Sequence, residues 1–190
     1  PYGGWVRVLY LQPEGLTDEL VSTIRDTPEV VKYIDIPLQH SNAEVLKNMN
    51  RTGCTSEFLE VVARLRREVP GIALRTTALV AFPGETQDQF DELVDFIERA
   101  EFDYCSVFAY SQEDGTEAAT MADQLDESVK HEREQAMVDI AETYGFASAA
   151  QRIGQTVRVL VDAHEVDDEG NVDILGRAYF QAPDSDGVVH

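Results

Sequence analysis

Five residues of this chain combine reactive chemistry with an informative position: Gln39, His40, Arg75, Gly84 and Glu85. Gln39 and His40 follow Pro37 at the end of a hydrophobic run. An amide and an imidazole there can donate to, and accept from, the hydroxyls of a bound nucleoside. They can equally be two exposed polar loop residues. His40 is also of a type that serves as a general base, but the sequence identifies no partner carboxylate for it. Arg75 lies inside the otherwise apolar run Leu74-Arg-Thr-Thr-Ala-Leu-Val-Ala81. A guanidinium in such a run needs an anion or water, either a substrate carboxylate or a neighbouring acid such as Asp35. In Phe82-Pro-Gly-Glu-Thr86, Pro83 cannot continue a ladder and Gly84 permits positive φ or close backbone approach. Glu85 and Thr86 then bring polar groups to a helix N-terminus, where free N–H groups point outward. Taken singly, that turn is no more than a well-made strand-to-helix connection.

The elements that must position these residues follow a β/α rhythm. Strands are expected over Trp5–Leu11, Tyr33–Leu38, about Ala73–Phe82, and Tyr104–Tyr110. Between them, Thr17 opens a helix with Leu20, Val21 and Ile24 on one face. Ser41-Asn-Ala-Glu44 has the form of a capping box, and Phe58, Val61, Val62, Leu65 and Val69 recur at helical spacing until Pro70-Gly71. Thr86-Gln-Asp-Gln89 is a second capping box, leading into Phe90, Leu93, Val94 and Ile97. Apolar strands alternating with helices predict a parallel sheet covered by helices on at least one face. In barrels of such units, the turns at the carboxyl ends of the strands form the active-site face. Tyr110-Ser111 and Gly115-Thr116 either edge that mouth or supply aromatic core.

A single helix is expected from about Asp126 to Ala150, with Val129, Ala136, Met137, Ile140 and Tyr144 toward the core. After Gly154 the pattern becomes alternating: Thr156–Val161, an acidic turn over Asp167–Gly170, Asp173–Tyr179 and Gly187–His190. That predicts the start of a small OB-like β-barrel, too short here to close. The turn is expected to be a loop onto which a basic partner can dock. The expected organisation is thus α/β: 1–125 the later part of a partial β/α barrel, 126–152 a connecting helix, and 153–190 the N-terminal part of the β-barrel. Four β/α units are fewer than a full barrel needs, and His190 falls within an unfinished strand pattern. The chain is therefore expected to be the middle or later part of a larger enzyme.

The formal charge of −21, with only three lysines, excludes a broad phosphate-binding surface and fits a basic protein partner or a salt-tolerant source. No run of about 18 apolar residues predicts a membrane span. Cys54 and Cys105 lie far apart, which makes neither a disulfide framework nor a metal motif and suits a reducing cytoplasm. Cys105 is expected in a buried strand, and Cys54 in a loop.

Several segments together resemble the radical S-adenosylmethionine methylthiotransferases. They are Tyr33-Ile-Asp-Ile-Pro-Leu-Gln-His40, Val45-Leu-Lys-Asn-Met-Asn-Arg51, Leu74-Arg-Thr-Thr77, Phe82-Pro-Gly-Glu-Thr86, and Phe108-Ala-Tyr-Ser111 with Glu113-Asp-Gly-Thr116. Gly176-Arg-Ala-Tyr179 with Ala182-Pro-Asp-Ser-Asp-Gly187 is similar to the opening of that family's TRAM domain. The Arg-Thr-Thr strand and the Asp-Gly tail favour the branch that modifies a ribosomal protein over the sister branch that modifies transfer RNA. From Gln155 to His190 there are two arginines against eight acids, a poor surface for RNA.

The resemblance implies a partial TIM-like radical SAM barrel followed by a TRAM β-barrel. It also implies a cytoplasmic methylthiotransferase that acts on an aspartate of a small-subunit ribosomal protein, using S-adenosylmethionine and two 4Fe-4S clusters held by cysteine thiolates. One cluster would cleave the cofactor to a hydrogen-abstracting radical, and the other would support sulfur delivery. The cysteine sets that hold them do not occur in this chain, so no catalytic residue and no metal ligand is assigned within it, and the fragment alone is expected to be inactive. Gln39, His40, Arg75, Gly84 and Glu85 are then expected on the cofactor side of the mouth. The family often has glycine where this chain has Ala81, which tightens the turn slightly. The alternatives are a transfer-RNA adenosine methylthiotransferase and a non-catalytic module that only binds the ribosomal protein.

Overall fold

The computed structural model describes residues 4–166 and 172–190. Strands β1 (Val6–Val8), β2 (Val30–Gln39), β3 (Ala73–Val80) and β4 (Tyr104–Ala109) form one sheet in that order, every neighbouring pair parallel. Helices α1 (Asp18–Asp26), α2 (Ala43–Asn48), α3 (Thr55–Glu68) and α4 (Gln87–Ala100) lie between them in the chain, and α5 (Glu127–Ala150) follows β4. The two-residue alternation of strands divides the sheet into faces. Ile34, Ile36, Leu38, Leu74, Ala78 and Val80 pack under the helices with Ile24, Phe58, Leu65, Phe90, Phe96 and Met137. The other face carries Arg7, Tyr33, Asp35, Arg75, Tyr104 and Ser106.

Local signals account for most boundaries. Thr17 caps α1 by accepting the Leu20 amide at 3.2 Å, and Thr86 with Gln89 closes the expected capping box on α4. The first box is shifted. Asn42, not Ser41, caps α2, taking the Glu44 and Val45 amides at 3.0 and 3.1 Å, while Ser41 is turned inward and buried. An Asn side chain spans to two amides where a shorter Ser would meet one. The first strand is also shorter than expected, because the chain turns at Tyr10 with φ 55°; Leu11 still donates to Asp35 O at 2.9 Å.

Helix α5 buries Lys130, Arg133, Met137 and Ala141 along one stripe. All four of Val129, Ala136, Ile140 and Tyr144 are half-buried, but only Ala136 and Ile140 pack against the core as expected. Two cations hold stripe positions that a search for apolar residues passes over.

Beyond α5, β5 (Val159–Val166) and β6 (Val172–Ala178) pair antiparallel. The expected third strand at Gly187–His190 amounts to one bridge, Gly176 to Val189. Gly176 is required there: a Cβ would sit 2.5 Å from Val159 Cγ1 and 2.7 Å from Leu160 O. The acidic turn expected over 167–170 lies outside the described residues.

Candidate functional site

The carboxyl ends of β2 and β3 are shaped by their sequence. Pro37 has no N–H to offer the ladder. The register accordingly slips between Ile36, opposite Thr76, and Gln39, opposite Ala78, so three steps on β2 match two on β3. This is a bulge, a device that re-aims the residue after it. The Thr76 hydroxyl repairs the gap by donating to Ile36 O at 2.9 Å and accepting the Leu38 amide at 3.4 Å. Arg51 holds the Pro37 carbonyl from outside, Nη1 to O 3.2 Å. Gln39 follows with φ 71°, a left-handed conformation that non-glycine residues rarely adopt. Ala81, just past β3, has φ 58°, so three successive strand ends turn on a left-handed residue when Tyr10 is included. Backbone strain of this kind concentrates at functional sites.

His40 and Glu85 meet behind this rim. Both side chains are fully buried, and His40 Nε2 lies 3.5 Å from Glu85 Oε2. Asn42 N–H donates to His40 Nδ1 at 2.9 Å, which puts the ring proton on Nε2, facing the carboxylate. The other Glu85 oxygen accepts Arg133 Nη1 at 2.6 Å, and the same guanidinium nitrogen reaches the Glu85 carbonyl at 3.0 Å. Glu85 thus has a buried cation from α5, and the carboxylate that the sequence did not identify for His40 is Glu85. Arg133 completes the group and was missed. Its only sequence signal is a cation at the helical spacing of Met137 and Ala141.

The five expected residues are therefore not equivalent. Gln39 and Gly84 flank the His40–Glu85 contact in sequence and belong to the rim; Gly84 is exposed, with φ 82° and nothing within 4 Å of where a Cβ would be. His40 and Glu85 stand one layer behind, with no surface of their own. Arg75 is at a different level. It pairs across the ladder with Asp35, three residues before the position opposite Gln39, which is about 10 Å lower along the strand. The expectation that it joins Gln39 and Gly84 at one rim is corrected by this register. Its anion is chiefly Asp186, to which Nη1 donates; Ser106 Oγ accepts from Nη2 at 2.5 Å, and Asp35 Oδ1 is 3.8 Å from Nε. Burial opposes the Arg75 charge, but Asp186, Tyr33 and Asp35 outweigh it and raise the pKa. Burial raises that of Asp35, against the Tyr10 amide and Arg75, which lower it.

An apolar wall adjoins the rim. Val45, Phe82 and Tyr110 form a buried cluster with Met49, Leu79, Ala118 and Met121, the Phe82 and Tyr110 rings edge to face at 5.4 Å. Tyr110 is thus aromatic core, whereas Ser111, Gly115 and Thr116 are exposed. Gly84 N–H donates to Asp123 O at 3.0 Å, tying the loop after β4 over the turn. A strained backbone rim, one amide side chain and an apolar wall can hold a nucleoside. A cavity of about 550 Å³ lies elsewhere, bordered by Arg66, Asp103, Tyr144, Arg152 and Tyr179. There Arg152 pairs with Asp103 at 2.5 Å and Arg66 donates to Glu101 O, so its cations are already engaged and the rim is the better candidate.

Metal ligation fits poorly. Cys54 is the N-cap residue of α3, with Sγ 3.2 Å from Ser56 Oγ. Cys105 faces the helix layer from β4, and burial pushes its thiol up to about 12. Among the described residues no three His, Cys, Asp or Glu side chains group to hold a metal, and no helix is long and apolar enough to cross a membrane.

The Radical SAM superfamily matches residues 3–97, and the TRAM domain matches 153–190. The chain is 45% identical over 98% of its length to the ribosomal protein uS12 methylthiotransferase RimO of Pelobacter propionicus, and 44% identical over the same share to that of Geobacter sulfurreducens. It spans 41% of each of those relatives. Among solved structures, coproporphyrinogen III oxidase (HemN) from Escherichia coli, a radical SAM enzyme, aligns over 92% of this chain and 44% of its own with TM-score 0.62. At 14% identity that likeness is one of fold.

Proposed function

This chain belongs to the radical SAM superfamily, and from that premise we propose that it is part of a RimO-type enzyme that methylthiolates an aspartate of ribosomal protein uS12. The observation that carries the reading is that similarity to RimO relatives runs through strand ends and tail alike. Superfamily membership implies S-adenosylmethionine and a 4Fe-4S cluster. When bound, the cluster supplies the electron that cleaves the cofactor. The two cysteines here do not fit one, so the contribution of this chain is the cofactor wall.

In this reading Gln39 and the Ala81–Gly84 backbone face the nucleoside, with Phe82 and Tyr110 behind. His40, Glu85 and Arg133 hold both turns in place. The domain limits are 1–125, 126–152 and 153–190, the enzyme works in the cytoplasm, and a second cluster supports sulfur delivery. The acidic balance from Gln155 to His190 suits a basic protein substrate better than RNA.

The test incubates the intact protein, reductant and S-adenosylmethionine with uS12 and, separately, with transfer RNA. A methylthio group on a uS12 aspartate, found by mass spectrometry, is the expected product, and thiomethylated adenosine overturns the assignment. Gln39→Ala should raise the KM for S-adenosylmethionine about tenfold, the worth of one lost hydrogen bond of roughly 1.4 kcal/mol.

A further inference from the structure

The side chain of Asp186 is fully buried although it belongs to a tail that is otherwise largely exposed. Three donors converge on it. Arg75 Nη1 donates to Oδ1, while the Tyr33 hydroxyl at 2.5 Å and the Ala182 amide at 2.8 Å donate to Oδ2. Two of the three come from strands more than a hundred residues earlier, at the end of the sheet opposite the rim.

The rest of the segment lies along the same end. Arg7 Nη1 donates to Tyr179 O at 2.8 Å, and Tyr179 Oη donates to Gly71 O at 3.0 Å. Arg152 stacks over the Phe180 ring at 4.6 Å, and Ala182 packs with Val31, Tyr33 and Ala73. By contrast the β5–β6 hairpin stands off, with Val161, Val166, Val172 and Ile174 exposed. The hairpin is therefore oriented chiefly through the segment that follows it. Apolar contacts tolerate sliding, but a buried carboxylate must meet its cation and hydrogen-bond donors in one geometry or bear its desolvation alone. The interaction also joins the two segments that set this chain apart by sequence, the Arg-Thr-Thr strand and the Asp-Gly tail.

We propose that Asp186 is a positioning residue. Held by Arg75 and Tyr33, it fixes the orientation of the C-terminal β-segment on the barrel, and so places the basic protein substrate recognised there. The substrate half of this inference rests on the function proposed above; the anchoring half does not.

The test uses the intact protein with Asp186→Asn, which keeps the side-chain shape. Amide hydrogen exchange over residues 178–189 reads the anchor. Steady-state kinetics with uS12 and with S-adenosylmethionine read its consequence. Exchange in the segment should rise, the KM for uS12 should rise about tenfold, as for loss of a hydrogen-bonded charge, and kcat and the KM for S-adenosylmethionine should stay within about twofold. Exchange at the wild-type level overturns the anchor whatever the kinetics. Raised exchange with an unchanged KM for uS12 overturns the substrate role. A wild-type protein inert toward uS12 defeats the proposed function and leaves exchange to decide the anchor. Should Asp186→Asn fail to fold, Tyr33→Phe removes one hydrogen bond and keeps the ring. It should raise exchange in the same segment, and no rise overturns the proposal.

Discussion

Ala81 occupies a left-handed conformation with its methyl fully buried at the turn after β3. The conformation costs an alanine roughly 1–2 kcal/mol, whereas glycine loses about 0.5–1 kcal/mol in chain entropy on folding. Removing the buried methyl costs about 0.8 kcal/mol more, so the terms nearly cancel and Ala81→Gly should change stability by less than about 1 kcal/mol, measured by urea denaturation. Asp35 behaves differently. Its folded pKa is raised, so its contribution is fully present below the unfolded value and is lost as pH rises through the folded one. Once ionised, the buried carboxylate is a liability, with Oδ1 lacking a hydrogen-bond partner. Asp35→Asn should therefore gain stability relative to the parent as pH rises above the unfolded value of about 4, followed as denaturation midpoints over a pH series. A constant difference would mean that the carboxyl does not titrate differently in the folded protein.

At the scale of elements, the pieces with periodic apolar patterns were legible: four strands, the helices between them, and the parallel sheet with one helix-covered face. So were the ends of the second and third strands, because Pro37 and Pro83 announce where each ladder must stop. The partners of the polar residues were not legible. His40 and Glu85 are 45 positions apart, and nothing local states that one faces the other at 3.5 Å. Arg75 announced a need for an anion, but its main anion is 111 residues away. Arg133 lay hidden because cations on a helix ordinarily read as solvated. Its removal tests that element: Arg133→Ala strands the Glu85 carboxylate in the interior and should cost about 3–5 kcal/mol by chemical denaturation. A change below about 1 kcal/mol would show that Glu85 and His40 hold the turn without α5.

Over the whole molecule, 36 acids face 15 basic residues. Self-repulsion of that excess opposes the compact state and is screened by salt. Raising sodium chloride from about 0.05 to about 1 M should therefore raise the thermal midpoint, since a Debye length of roughly 3 Å suppresses surface repulsion while the buried pairs are spared. A falling midpoint would instead put the surface ion pairs in charge. Helix α5 has 24 residues and so is about 36 Å long, enough to touch both ends of the sheet. It gives Arg133 to Glu85 at one end, and Ser148 to Asp103 at the other, where Arg152 just past its last turn joins them. Ribosomes deliver chains in one direction, so both acids emerge well before the residues that neutralise them. A nascent chain halted before α5 would carry two unmatched interior anions, and its β/α units would gain their final cohesion only when that late helix swings in and closes both ends of the sheet together.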